Sequence, residues 1–132
     1  MKILFDYKIF FSQRYGGPSR YFLNLFENLN KTESNAMILS PFYVNEYLKK
    51  SKLKNMIIGT KFPRIKFTGF FLNKINQGLS KFLCKKIDPN IIHTTYYDDF
   101  IVDKKKPLIV TESIPFKYIC IWILWISGDL PD

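Results

Sequence analysis

A short apolar strand running into a glycine pair that opens an amphipathic helix constrains this chain more than any other feature. Residues 2–6 read Lys-Ile-Leu-Phe-Asp, a run suited to a strand buried on both faces of a parallel sheet. After a loop over residues 7–15, loaded with Tyr7, Phe10, Phe11 and Tyr15, comes Gly16-Gly17-Pro18-Ser19-Arg20-Tyr21-Phe22. Two glycines let a backbone approach a ligand closely, and Pro18 suits a first helical turn, where a missing N–H costs nothing. Tyr21, Phe22, Leu25, Phe26 and Leu29 then recur with helical period, which predicts a helix over 17–29 laid on a sheet. A strand feeding a helix start in this way is one route to an anion site, since the first N–H groups and the positive end of the helix dipole face the ligand.

The rest of the chain continues the alternation. Residues 30–35 are polar and predict a turn, 36–40 a second strand stopped by Pro41, 45–53 a short lysine-rich helix, and 55–59 a third strand. Residues 61–66 contain Pro63 and predict a loop. A long helix is expected over 67–87, where Phe67, Phe71, Ile75, Leu79, Leu83 and Ile87 recur every fourth residue. Phe70, Leu72 and Phe82 lie beside them, and Lys74, Lys81 and Lys85 take the other side. Gly69 and Gly78 weaken that helix by about 1 kcal/mol each relative to alanine, so it depends on tertiary packing. Asp88-Pro89 stops it, and strands follow over 90–93 and 108–111. Strands alternating with helices predict right-handed βαβ units, an α/β Rossmann-like fold with a mostly parallel sheet flanked by helices.

The segments Tyr15-Gly16-Gly17-Pro18-Ser19-Arg20-Tyr21-Phe22, Asp88-Pro89-Asn90-Ile91-Ile92-His93-Thr94-Thr95-Tyr96-Tyr97 and Lys106-Pro107-Leu108-Ile109-Val110-Thr111 stand in the order found in one family. Together they resemble the N-terminal domain of GT-B glycosyltransferases, in particular family 4 of the retaining sugar-nucleotide enzymes. The resemblance covers residues 1–111 and leaves 112–132 as a divergent apolar tail. It implies the acceptor-side half of a two-domain transferase, a nucleotide sugar as donor substrate rather than a cofactor, and a glycan or lipid-linked acceptor. Two departures qualify it. The family continues after the strand at 108–111 with a His-Asp motif whose histidine contacts the transferred sugar; here Glu112-Ser113-Ile114-Pro115 follows. No second nucleotide-binding domain lies within the 132 residues, so the expectation is a truncated or split enzyme, inactive until a second chain completes it.

Topology independently points to the carboxyl ends of the strands, where open parallel sheets bind ligands. Gly16 and Gly17 read either as a close approach to a diphosphate or sugar, or as an ordinary tight turn. Arg20 lies one turn inside the helix, either reaching an anion or simply exposed. His93, the single histidine, suits hydrogen-bonding or acid–base work but equally a structural place at a strand end. Tyr96 and Tyr97 read as sugar-stacking rings or as rim packing, and Asp98 and Asp99 as solvated. No residue is assigned a catalytic role. One histidine and no CxxC pair leave too few ligands for a metal.

Composition bounds the remainder. At 47% hydrophobic and 17% aromatic, the chain has ample material for one packed domain. Residues 1–6 do not read as a signal peptide, and Cys84 and Cys120 form no disulfide framework, so a reducing, cytoplasmic setting is expected with Cys84 in the core. Of the +9 net charge, residues 47–87 carry eleven Lys or Arg and no Asp or Glu. With Phe62, Phe67, Phe70 and Phe71 interleaved, that stretch reads either as a solvated face or as a peripheral contact with an anionic membrane. GxxxxGK[ST], GxGxxG, helix-turn-helix, zinc-finger and RNP patterns are all missing, so no specific nucleic-acid partner is expected. The apolar run at 118–126 is too short to span a bilayer, which takes roughly 20 residues. It reads as a buried last strand or a frame-shifted end, the latter fitting a gene remnant that folds poorly.

Overall fold

The computed structural model describes residues 1–96 and 101–111, and the backbone of Trp122–Ile123. Tyr97, Asp98, Asp99, Glu112 and Cys120 lie outside the described residues, as does the rest of the tail.

Five strands form an all-parallel sheet in the order β3-β2-β1-β4-β5: β1 (Lys2–Phe5), β2 (Asn35–Tyr43), β3 (Ile57–Lys61), β4 (Ile91–Thr94) and β5 (Leu108–Thr111). A two-residue strand β6 (Trp122–Ile123) pairs antiparallel with β5. The fold is therefore α/β and Rossmann-like, with the strand order reversing beside β1.

Helix α2 (Gly17–Leu29) covers one face of the sheet, burying Phe22, Leu23 and Phe26 against Ile3, Phe5, Ala36 and Ile38. On the opposite face lies α4 (Gly69–Ile87), where Cys84 joins Leu4, Leu39 and Ile92. Adjacent positions of β1 thus point into two different cores, as the pleat requires. Cys84 is buried, as its type predicts, and that burial pushes its thiol up to about 11.

Four local features differ from the sequence pattern. The aromatic stretch after β1 is not all loop: Lys8–Ser12 form a short helix α1, and Tyr7, Ile9 and Phe10 are fully buried. Pro41 does not end β2, which continues to Tyr43 through a register shift between Leu39 and Phe42, the kind of irregularity that tolerates proline. β3 lies two residues later than expected because Lys54–Met56 form a 3-10 turn; the short helix α3 (Glu46–Lys50) precedes it, capped by the Asn45 side chain accepting from the Leu48 N–H.

The fourth difference has the largest consequence. α4 turns Leu72, Asn76, Ser80 and Cys84 to the sheet; of the expected row, Leu83 and Ile87 pack against the same core, while Phe67, Phe71 and Leu79 are exposed. Phe67, Phe70, Phe71 and Phe82 are exposed. Asn76 explains the choice: its Oδ1 accepts from the Phe42 N–H at 2.8 Å, and its Nδ2 donates to the Phe42 carbonyl at 3.0 Å. The break in register at Pro41 frees these backbone groups, and a buried amide satisfies both.

Candidate site at the carboxyl rim of the sheet

Parallel pairing brings the carboxyl ends of β1 to β4 to one rim. α1 is fixed there because the Phe10 carbonyl accepts from the N–H groups of Val44 and Asn45, just past β2. Asn45 Nδ2 also donates to the Gln13 carbonyl at 2.8 Å. Glu46 holds the neighbouring loop, accepting from Lys61 Nζ at 2.6 Å and Arg14 Nε at 3.3 Å. The Lys61 ammonium keeps the Glu46 carboxyl below its ordinary range.

Between the tips of β1 and β4, where the strand order reverses, a buried carboxylate closes the gap. Asp6 Oδ1 accepts from the Thr95 hydroxyl at 2.5 Å, the Thr95 N–H at 3.0 Å and the Lys8 N–H at 3.3 Å. The Thr95 hydroxyl oxygen also accepts from the Ile9 N–H. Asp6 Oδ2 is buried, with no hydrogen-bond partner among the described residues. Burial pushes the Asp6 carboxyl up to about 6, against the pull of its Thr95 donors.

His93 lies beside this tie, buried, with its ring stacked on Phe5 at 4.9 Å and edge-on to Phe22 at 5.4 Å. Its Nδ1 is 3.0 Å from the Thr94 carbonyl, which can only accept, so Nδ1 carries the proton. Nε2 then accepts from the Thr111 hydroxyl at 3.3 Å. Desolvation pushes the imidazole down to about 4. With both nitrogens engaged and its charged form disfavoured, His93 joins β1, β4, β5 and α2 as a neutral, packed ring.

The other predicted site residues sit apart from it. Gly16 precedes α2 with extended backbone, and a Cβ there would meet the flexible Gln13 side chain. Gly17 has open space where a Cβ would be. Among the described residues no side chain caps the start of α2 and no acid lies in its first turn; Pro18 has no N–H and Ser19 is buried, so the exposed Gly17 N–H is the one left for solvent or a ligand. Arg20 is exposed, its guanidinium 5.1 Å from the Tyr47 ring centre.

Tyr96, half exposed, lines a cavity of about 350 Å³ at the strand-order reversal. It shares the lining with Lys8, Phe11, Ser12, Phe70 and Asn73. A larger hollow of about 800 Å³ adjoins it, bounded by Phe11, Val44, Arg64, Phe67 and Leu72. Sequence reading missed Asp6, Thr95, Asn73 and Ser12. Asp6 carried a usable signal, an acid ending a buried parallel strand; Asn73 and Ser12 carried none, because their helices were misplaced in face or absent. Among the described residues no three His, Cys, Asp or Glu side chains cluster as a metal site would require. No protein-family model, curated protein or solved structure matches the chain.

Proposed function

We propose that this domain is the acceptor-side half of a retaining, sugar-nucleotide-dependent glycosyltransferase, forming one wall of a cleft whose donor-binding wall is a second Rossmann-like domain. One observation carries the reading: the cavity at the strand-order reversal is lined by a half-exposed tyrosine, a hydroxyl, an amide and a lysine. Sugars are recognised by that mixture, an aromatic face under the ring and polar groups around its hydroxyls. In this reading Tyr96 stacks on the acceptor sugar, Ser12 and Asn73 bind its hydroxyls, and Lys8 favours a phosphate of a lipid-linked acceptor. The uncapped start of α2 at Gly16 and Gly17 faces the donor diphosphate. His93 positions the strand tips without transferring a proton, consistent with its depressed pKa.

Titration with oligosaccharide and lipid-linked saccharide acceptors, followed by amide NMR shifts, tests this. Shifts are expected at Ser12, Asn73 and Tyr96, and Tyr96→Ala is expected to weaken them by about tenfold. No shifts at these residues with any such acceptor overturns the acceptor assignment. Transfer from UDP- or GDP-sugars by this chain alone overturns the half-enzyme assignment.

A further inference from the structure

We infer that the outward face of α4, with the loop leading into it, is a docking surface for an anionic lipid bilayer. The inference stands independently of the glycan reading. Leu72, Asn76, Ser80 and Cys84 fix the inward side of α4, and helix geometry then fixes the outward one. That outward side presents Phe70, Phe71 and Phe82 at 77%, 67% and 67% exposure, and Phe67, just before the helix, is 100% exposed. Soluble surfaces scatter single apolar side chains; four phenylalanines around one helix face form a patch that needs an occupant. Phe67 also holds φ at 68°, a conformation disfavoured for a bulky residue, while its ring remains wholly in solvent.

Charge selects the occupant. Lys66, Lys74, Lys81 and Lys85 are exposed among these rings, with Lys74 Nζ 5.7 Å from the Phe70 ring centre. Residues 47–87 contain eleven cationic side chains and no acidic one. A second copy of this chain would set like charge against like across the same patch. A surface of anionic headgroups complements it, with lysine ammoniums at the phosphates and phenylalanine rings just below them. No helix among the described residues is long and apolar enough to cross a membrane, so α4 would lie along the surface.

The test is flotation of the whole chain with vesicles of phosphatidylcholine alone or mixed with phosphatidylglycerol, at low and high salt. Binding is expected only with the mixed vesicles, weakening as salt rises. The double variants Phe71→Ser/Phe82→Ser and Lys74→Glu/Lys85→Glu should each reduce it by about tenfold or more. Because all four side chains are exposed, thermal melts of these variants should match the parent, separating lost binding from lost folding. Absence of binding to mixed vesicles at low salt, or unchanged binding by both variants, overturns the inference. So does a concentration-dependent dimer that Phe71→Ser/Phe82→Ser abolishes, which would assign the face to a second copy. Binding with Tyr96→Ala should stay close to the parent, since Phe70 alone is shared between the cavity and the lipid-facing patch.

Discussion

Thr95 gives both its hydroxyl and its backbone N–H to the same oxygen of Asp6, joining the tips of two strands that are neighbours in the sheet but 89 residues apart in sequence. Among the described residues the second carboxyl oxygen of Asp6 has no partner, and His93, two residues before Thr95, is buried neutral. The two groups respond to pH in opposite senses. The folded pKa of Asp6 is raised, so its contribution to stability is complete below its unfolded value of 3.8 and is lost as pH rises through about 6. The folded pKa of His93 is lowered, so its contribution is complete above 6.5 and is lost as pH falls through about 4. Each effect is on the order of 3 kcal/mol and they oppose one another over the same window. Asp6→Asn should therefore reveal a stability that falls on acidification from pH 6.5 to 4, and His93→Phe one that falls as pH rises from 4 to 6. Urea denaturation across that range checks both; profiles of the two variants that run parallel would contradict the pairing.

Gly59 sits opposite the irregular stretch of β2, between the pairs Leu39–Ile58 and Phe42–Thr60. Its φ is 146°, and a Cβ there would collide with the Ser40 carbonyl oxygen, a backbone atom that cannot swing aside. Gly59→Ala should destabilise by about 3 kcal/mol or more, in contrast to Gly69→Ala, where space is open. A thermal melt of Gly59→Ala close to the parent would contradict this.

Replacing Asn76 tests the amide that bridges α4 and β2. Asn76→Leu keeps the γ-branched shape, with bulkier methyl groups, but strands the Phe42 N–H and carbonyl in the interior, at an expected cost of about 2–4 kcal/mol. Chemical denaturation measures it directly. A loss within the noise of surface substitutions would mean the backbone finds other partners.

Gly17→Val separates binding from folding at the start of α2. The new side chain enters open space, so stability should change by no more than about 0.5 kcal/mol. If the helix start holds a diphosphate, affinity for a nucleoside diphosphate sugar, measured by calorimetry, should fall in this variant while its melt stays put. Equal affinity of variant and parent removes the glycine pair from the donor site.

The strands and α2 were readable because parallel strands are continuous apolar runs and Gly17-Pro18 announces a helix start. Pro41 and the true face of α4 were not, and they share one cause. Period alone assigns the most apolar row inward, yet the sheet here demands a hydrogen-bonding partner at Phe42, and only Asn76 on that side of α4 supplies it. A need created in one strand thus overrode the hydrophobic pattern of a helix more than thirty residues later. At the rim, the position of Tyr96 was legible from its place after β4, whereas that of Asn73 became visible only once α4 had its real orientation. α1 escaped notice because five residues in an aromatic segment, with no side-chain cap, leave no periodic trace.

The rotated packing face of α4 has an evolutionary corollary. Small and polar side chains at Asn76, Ser80 and Cys84 anchor it, so the identity of its solvent-facing residues is decoupled from whether the domain holds together. Lineages can gain or shed aromatic rings there, or trade lysine for glutamate, and leave the scaffold intact. Whatever that outer surface contacts can thus drift at a pace the core would never permit.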